Sequence, residues 1–153
     1  MTDQFSRTEL LVGADGIERL KRSRVAVFGI GGVGGYVVEA LARSGVGRLH
    51  LVDHDTVSVS NLNRQIIATV NTIGRYKVDV AKERVMEINP KAEVCTHRTF
   101  YMPETEGEFD FTGFDYVVDA IDTVTGKLAL IMQAEEAGAP VISSMGAGNK
   151  LDA

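Results

Sequence analysis

The chain has 153 residues, a hydrophobic share of 44% and a formal net charge of −5, which together fit a single globular domain with a sizeable core. Net acidity argues against broad nucleic-acid affinity built on phosphate neutralisation, although it is compatible with a local basic patch. The lone Cys95 excludes an internal disulfide, and the sequence contains no CxxC pair for a structural zinc. No apolar run is long enough to span a membrane and residues 1–12 lack a signal-peptide core, so we expect a cytoplasmic protein with no membrane partner.

The first segment, residues 5–22, places apolar and charged side chains at helical spacing around Gly13 and Gly16. This pattern predicts one or two short helices before the first strand. We therefore divide the sequence into an N-terminal helical arm at residues 1–22 and an α/β domain at residues 23–153.

The most informative stretch begins with an apolar, β-branched run at residues 24–28 and continues directly into clustered glycines. Apolar residues beyond the glycines recur at helical spacing as far as Gly45, so a strand, a GxGxxG loop and a helix follow one another. In such a unit the glycines let the backbone approach a phosphate, and the helix N-terminus supplies N–H donors to it. The alternative is that the glycines only permit tight packing of the strand on the helix. The nucleotide-binding positions that the first interpretation predicts are Gly29, Gly31, Gly32 and Gly34.

The rest of the chain alternates strand and helix patterns. Such alternation predicts right-handed crossovers and an α/β, Rossmann-like, doubly wound, mainly parallel sheet in the order 3-2-1-4-5, with helices on both faces. Residues 101–113 are acidic and interrupted by Pro and Gly, so we expect a surface connection there. The predicted strands are residues 48–52, 93–100, 116–121 and 140–144, and the predicted helices run from about 76 to 88 and from about 128 to 137.

Polar side chains follow two of these strands. Asp53 ends the second strand 22 residues after Gly31, a distance that suits an acid on a ribose hydroxyl. The polar segment at residues 53–65 and then Lys77 come next, and Asp122 follows the fourth strand. The carboxyl ends of parallel strands meet at one edge of a sheet, so these residues and the glycine loop should share one crevice.

Two reactions remain open on this pattern alone. A hydride-transfer enzyme would hold NAD with the glycine loop and Asp53, but it has no need of Arg64 and Lys77. A nucleotidyl-transfer enzyme needs such cations to stabilise the charge that develops on the phosphates, and Asp122 would then be the Mg²⁺ ligand. A third interpretation is that Arg64 and Lys77 are surface ions and that Asp122 caps a helix.

The thiol and imidazole side chains give a weaker signal. Cys95 falls in the middle of a predicted strand, where we expect it to be buried as a small apolar side chain without a catalytic role. The three histidines are scattered along the sequence, and only His54 is expected near the crevice.

Four separated motifs resemble the E1-like (ThiF/MoeB/HesA) adenylating family. They are Gly29-Ile-Gly-Gly-Val-Gly34, residues 53–65 (DHDTVSVSNLNRQ), residues 74–77 (GRYK) and residues 119–122 (DAID). The second and third are far more specific than the glycine loop, and the match covers nearly the whole chain. The resemblance implies that residues 23–153 form an ATP-binding domain that uses ATP and Mg²⁺, that the protein is a homodimer, and that a C-terminal part lies beyond this sequence.

Carried over by position, the resemblance also implies roles for individual side chains. Asp53 would hold the ribose and Asp122 would carry Mg²⁺. Arg7 matches an arginine that reaches across the family's dimer into the partner's ATP site, although Gln4 stands where many members have a further arginine. The implied nucleotide contacts are the four glycines, Asp53, Asp55 and, on the triphosphate, Asn61, Arg64 and Lys77; the implied catalytic set is Arg64, Lys77, Asp122 and, in trans, Arg7.

Within this family, residues 119–127 and 143–152 most resemble the branch of tRNA threonylcarbamoyladenosine dehydratases. Activators of sulfur carriers usually have Asp-Asn where this chain has Asp122-Thr123. The branch implies ATP-dependent adenylation of the threonylcarbamoyladenosine carboxylate in tRNA, release of pyrophosphate, and ring closure by a neighbouring nitrogen as AMP leaves. We expect tRNA to bind mainly through the part of the protein beyond residue 153.

Three alternatives to this function stay open. An activating enzyme for a ubiquitin-like sulfur carrier, of the MoeB/ThiF type, would use the same adenylation residues. An NAD-binding oxidoreductase would explain the glycine loop and Asp53, but it would leave Arg64 and Lys77 without a role. A non-catalytic dimerising scaffold would leave every adenylation position without a role.

Overall fold

Five strands form one sheet in the computed structural model, which describes residues 3–146. They are β1 (Arg24–Phe28), β2 (Arg48–Val52), β3 (Glu93–His97), β4 (Tyr116–Asp119) and β5 (Val141–Ser143). Their order is β3-β2-β1-β4-β5, and each pairing between them is parallel. The predicted α/β class, strand order and doubly wound sheet are therefore confirmed.

Four α-helices occur within the described residues. They are α1 (Ser6–Arg22), α2 (Gly34–Ser44), α3 (Lys77–Ile88) and α4 (Val124–Glu136). α1 is interrupted at Gly13, whose φ of 73° and ψ of 170° are not helical, as expected of an arm made of two short helices. None of the helices in this part of the chain is long and apolar enough to cross a membrane.

The core lies on both faces of the sheet. On one face, Leu49 and Leu51 of β2 pack with Val78 and Val85 of α3, and α2 completes this layer. On the other face, the fully buried Phe28 of β1 packs in a cluster with α4 and with residues that follow β3. The central strand is thus covered on both sides, as in other parallel sheets.

The expectation of a surface connection at residues 101–113 is wrong for the aromatic residues in it. The ring of Phe28 makes edge contacts with Tyr101, Phe109 and Phe111 at centroid distances of 5.1 to 5.5 Å. All three rings are buried. The acidic side chains dominate the sequence pattern of this segment and conceal the apolar side that covers the sheet.

Cys95 is exposed, so the expectation that it is buried is wrong. It lies in β3, which is the outermost strand on its side of the sheet. Val94 is buried in the core layer that contains α3, and the alternation of side chains along a strand turns Cys95 to the opposite face. The sequence pattern of a single strand does not show whether that strand lies at the edge of the sheet.

His50 and His97 are brought together by the pairing of β2 with β3, although they are 47 residues apart in the sequence. Their rings are stacked, with His50 Nδ1 3.2 Å from His97 Nε2, and Arg24 Nε donates to His50 Nε2 at 3.1 Å. A guanidinium can only donate, so His50 must carry its proton on Nδ1 and donate it to His97. Burial, then the charge of Arg24, then His97 lower the pKa of His50 to about 4. Burial also lowers the pKa of His97.

We predict that the protein loses stability as the pH falls from about 6.5 towards 4. The unfolded chain takes up a proton on His50 near the ordinary pKa of 6.5, whereas the folded chain stays neutral there until about pH 4. The unfolded state therefore binds more protons in this window, and the free energy of unfolding decreases with falling pH until the folded form is also protonated. Urea unfolding of the wild type between pH 7 and 4 measures this slope.

His50→Gln is the matched variant, because glutamine can still accept from Arg24 but does not titrate. We expect a flatter stability profile between pH 6.5 and 4 than in the wild type. A variant profile as steep as that of the wild type would show that other groups cause the loss.

Candidate functional site

A cleft of about 690 Å³ opens at the edge of the sheet where the parallel strands end. Its walls come from the segments that follow all five strands, as expected for a doubly wound sheet. Thr99 and Phe100 belong to one wall, since β3 ends at His97 and not at the predicted residue 100. The predicted site residues that line the cleft are Gly29, Gly31, Gly32, Asp53, Asp55, Asn61, Arg64, Lys77 and Asp122.

The four glycines of the loop have different surroundings. At Gly29, where φ is 89°, an added Cβ would lie 2.5 Å from the carbonyl oxygen of Ala120, and at Gly34 it would lie 1.6 Å from the carbonyl oxygen of Gly29. At Gly31 and Gly32 the nearest atoms are 3.7 and 3.6 Å away and belong to side chains. Gly29 and Gly34 are thus required by the fold of the loop, whereas Gly31 and Gly32 keep its cleft side open.

We predict that two alanine substitutions in this loop differ strongly in their effect on stability. Gly34→Ala should lower the free energy of unfolding by at least about 2 kcal/mol, because its Cβ would overlap a backbone oxygen that cannot easily move. Gly31→Ala should change it by less than about 1 kcal/mol, because its Cβ would meet only ordinary contacts. Urea denaturation of both variants tests this, and equal losses would contradict the assignment.

The carboxylate of Asp53 ties the glycine loop to the segment after β2. Its Oδ2 accepts the N–H of Ile30 at 2.7 Å, and its Oδ1 accepts the N–H of Asp55 at 2.8 Å. The ring of His54 packs against that of Phe100 at a tilt of 58°, with centroids 4.5 Å apart, and its Nε2 lies 3.2 Å from Asp55 Oδ1. Asp53 is therefore held rigidly at the lip of the cleft, with part of its acceptor capacity left over.

Two cations flank the loop. Lys77 is the first residue of α3 and only 6% exposed, and its Nζ lies 3.4 Å from Asp55 Oδ2. Arg64 is exposed and lies over Gly32, with Nη1 donating to the carbonyl of Ser60 at 3.0 Å. The cleft thus has positive charge on the side where the loop offers its backbone.

Asn61 and Gln65 belong to the same segment as Arg64 and are both buried. Asn61 Oδ1 accepts the N–H of Ser58 at 2.9 Å and so stabilises the short 3₁₀ turn at Val59–Asn61. Gln65 lines the cleft beneath Gly31, a position to which the sequence motif assigned no role.

Asp122 is exposed at the rim opposite these residues. The residue that flanks the start of α4 is Thr123, without a side-chain cap, so the helix-cap interpretation of Asp122 is not what the structure shows. Within residues 3–146, no hydrogen bond or ion pair involves the Asp122 carboxylate. An unengaged carboxylate at the rim fits a hard cation such as Mg²⁺, which takes oxygen ligands.

A buried polar network that sequence reasoning missed lies beneath Asp122. Lys127 is 5% exposed, and its Nζ contacts Asp119 Oδ2 at 2.8 Å and donates to the carbonyls of Ile121 and Ser144, both at 2.7 Å. The fully buried Asp119 accepts the hydroxyl of Ser143 at 2.6 Å and the N–H of Ile121 at 3.0 Å. One signal was present in the sequence, since helical spacing puts Lys127 on the same side of α4 as the buried Leu130 and Ala134.

Arg7 does not line the cleft of its own chain. It is exposed on the arm, and Leu10 and Leu11 after it are each 87% exposed. The motif at residues 147–152 lies outside the described residues.

The fold and the cleft define an α/β protein of the dinucleotide-binding type, with added cations and a free carboxylate around the glycine loop. The chain belongs to the ThiF family, whose model matches residues 5–151. The suspected E1-like membership is therefore confirmed.

Similar proteins are known from several bacteria. The chain is 51% identical to a tRNA threonylcarbamoyladenosine dehydratase of Bacillus subtilis, over 99% of this chain and 60% of the relative. It is 37% identical to a sulfur carrier protein adenylyltransferase of Thermus thermophilus, over 92% of this chain and 52% of that one. The structure of the E. coli tRNA N6-threonylcarbamoyladenosine dehydratase in complex with ATP superposes with a TM-score of 0.93 at 38% identity, covering 97% of this chain and 61% of that one. The chain thus spans about three fifths of the length of these two bacterial dehydratases.

Proposed function

We propose that this chain is the ATP-binding part of an adenylating enzyme that acts on threonylcarbamoyladenosine in tRNA in the cytoplasm. One observation carries the proposal, namely that the glycine loop, two cations and an unengaged carboxylate converge on one cleft. The dehydratases of B. subtilis and E. coli, at 51% and 38% identity, support the choice of substrate. We assign residues 1–22 to the arm and residues 23–153 to the ATP-binding domain.

The roles of the side chains follow from their positions in the cleft. Asp53 at the lip would bind the ribose, and Gly31 and Gly32 would let the phosphates approach the backbone. Arg64 and Lys77 would contact the triphosphate. Asp122 would hold Mg²⁺, an ion that offsets negative charge on phosphate oxygens. Further nucleotide positions of the proposal are Gly29, Gly34, Asp55 and Asn61, which shape the loop or hold the cationic segment.

The reaction needs no nucleophile from the protein. An oxygen of the substrate carboxylate attacks the α-phosphorus of ATP, the bond to the bridging oxygen breaks, and pyrophosphate leaves with the electron pair. A substrate nitrogen then attacks the activated carbonyl carbon, and AMP leaves as the ring closes. Arg64 and Lys77 would act by stabilising the charge that moves onto the departing pyrophosphate.

We predict that Arg64→Ala, Lys77→Met and Asp122→Asn each reduce AMP formation by about 100-fold or more, because each removes a charged stabiliser of the transition state. Methionine replaces Lys77 because its unbranched side chain fills the space of the buried lysine methylene groups. The measurement is AMP release from ATP by the full-length protein with tRNA that carries threonylcarbamoyladenosine.

Arg48→Ala is the matched control, since Arg48 is an exposed cation at the opposite end of β2, paired with Glu93 at 3.1 Å. It should retain full turnover. Unchanged turnover in the three cleft variants, with folding verified, would refute the assigned roles.

A ubiquitin-like sulfur carrier is the second candidate substrate, because the T. thermophilus relative at 37% identity is named for adenylating one. The same cleft residues would serve both reactions, so only the substrate distinguishes them. Pyrophosphate exchange that depends on a carrier ending in Gly-Gly, without AMP release from the tRNA, would select this alternative.

We also propose that the protein acts as a homodimer in which Arg7 completes the partner's site. Arg7 is exposed and does not line its own cleft, and the nearby Leu10 and Leu11 are exposed as well. These features are consistent with an arm that packs on another subunit.

Subunit mixing tests this role of Arg7. Arg7→Ala and Asp122→Asn dimers should each be inactive, whereas a randomly exchanged mixture should recover activity at about a quarter of its sites, because mixed dimers rebuild one intact site. Turnover before and after exchange gives the result. No recovery on mixing, with exchange verified, would show that Arg7 does not act in trans.

A further inference from the structure

Gln65 is a buried amide that the fold leaves incompletely paired. Its side chain is only 6% exposed and lines the cleft, and neither its Oε1 nor its Nε2 makes a hydrogen bond in the described part of the chain. The backbone N–H of Gln65 donates to the carbonyl of Asn61 at 2.9 Å, so the residue is fixed by its main chain. The main chain therefore holds the side-chain amide in place, although the amide makes no hydrogen bond to the described residues.

An unpaired buried amide is unfavourable, because the group has lost water without gaining another partner. Folded proteins keep few such groups, and those that persist usually meet a ligand, an ion or a bound water. The other side chain with an unpaired buried atom among residues 3–146 is Thr123, which does not line the cleft. Gln65 is thus a cleft-lining side chain with unpaired polar atoms, and its Nε2 is the atom that lies next to the glycine loop.

The surroundings of Gln65 identify the chemistry of that ligand. Its Nε2 lies 3.7 Å from the position that a Cβ on Gly31 would occupy, and Gly31 is one of the two glycines with an open cleft side. Arg64 is the next residue in the chain, and Lys77 lines the same cleft. An anion held against this part of the loop would lie among these donors, with the Nε2 of Gln65 on the same side.

We propose that Gln65 is a further nucleotide-binding residue, whose side-chain amide donates a hydrogen bond to a phosphoryl oxygen of the nucleotide that lies against Gly31. This inference rests on the proposed function, because it takes ATP as the occupant of the cleft. The amide would add an uncharged hydrogen-bond donor to the cationic side chains of Arg64 and Lys77.

The test compares ATP with adenosine, which has no phosphates, on the full-length protein. Gln65→Met keeps the length of the side chain and removes both polar atoms. We expect ATP to bind about 10-fold more weakly or worse, since a hydrogen bond to a charged group is lost, and adenosine to bind as in the wild type. We also expect the nucleotide-free variant to be at least as stable as the wild type, because an unpaired polar group has been removed. Calorimetric titration and urea unfolding give the two readouts.

Gln133→Met is the control, because it makes the same substitution at a partly buried glutamine that is paired, with Nε2 donating to the carbonyl of Phe109 at 2.9 Å. It should lose stability and keep its ATP affinity. If Gln65→Met does not fold, Gln65→Glu replaces it, and its negative charge should weaken ATP binding while adenosine binding stays unchanged.

Two results would overturn the role of Gln65, namely unchanged ATP affinity in Gln65→Met or equal loss of ATP and adenosine affinity. The second result would mean that the side chain shapes the cleft without contacting phosphate. Wild-type protein that binds NAD and not ATP would instead refute the proposed function itself, so the two failures are distinguishable.

Discussion

The far wall of the cleft depends on the contacts that the buried ammonium group of Lys127 makes. Removing Lys127 and Asp119 from water is unfavourable by several kcal/mol per ion, and such a pair persists only when further hydrogen bonds satisfy both groups. Lys127 meets this requirement with Asp119 and two backbone carbonyls, at 2.7 to 2.8 Å. The carbonyls belong to the segments after β4 and β5, so these segments are held to each other. Asp122, which follows Ile121, therefore stays at the rim.

The polar groups that line the cleft or lie behind its wall fall into two sets. Asp53, Asn61 and Lys127 are engaged by the backbone, and they hold the loops that form the walls. Asp122 has no partner in the described residues, and the side-chain amide of Gln65 makes no hydrogen bond there. An adenylating site needs this division, because groups that are already fixed require no reorganisation when charge moves between phosphates. The unpaired set is the part that a nucleotide would complete.

Sequence patterns were sufficient for the strand order and for the loops that meet at the cleft, because alternating elements with right-handed crossovers permit few arrangements. Other features depend on side chains that are far apart in the sequence. His50 and His97 meet only through the register of β2 and β3, and the exposure of Cys95 follows from the edge position of β3. The family motifs named most of the polar residues that line the cleft, but they gave no sign that Gln65 would lack a partner.

The contact between Lys77 and Asp55 shows how the charge of a buried lysine is balanced when no nucleotide is bound. Lys77 is 6% exposed, and a charge that buried needs a counterion. Asp55 supplies it at 3.4 Å, a long contact, and its own side chain is 53% exposed. An ion pair with one exposed partner contributes little stability, so it is easily exchanged. In the proposed reaction a triphosphate would replace Asp55 as the partner of Lys77, and water would solvate the exposed Asp55 carboxylate.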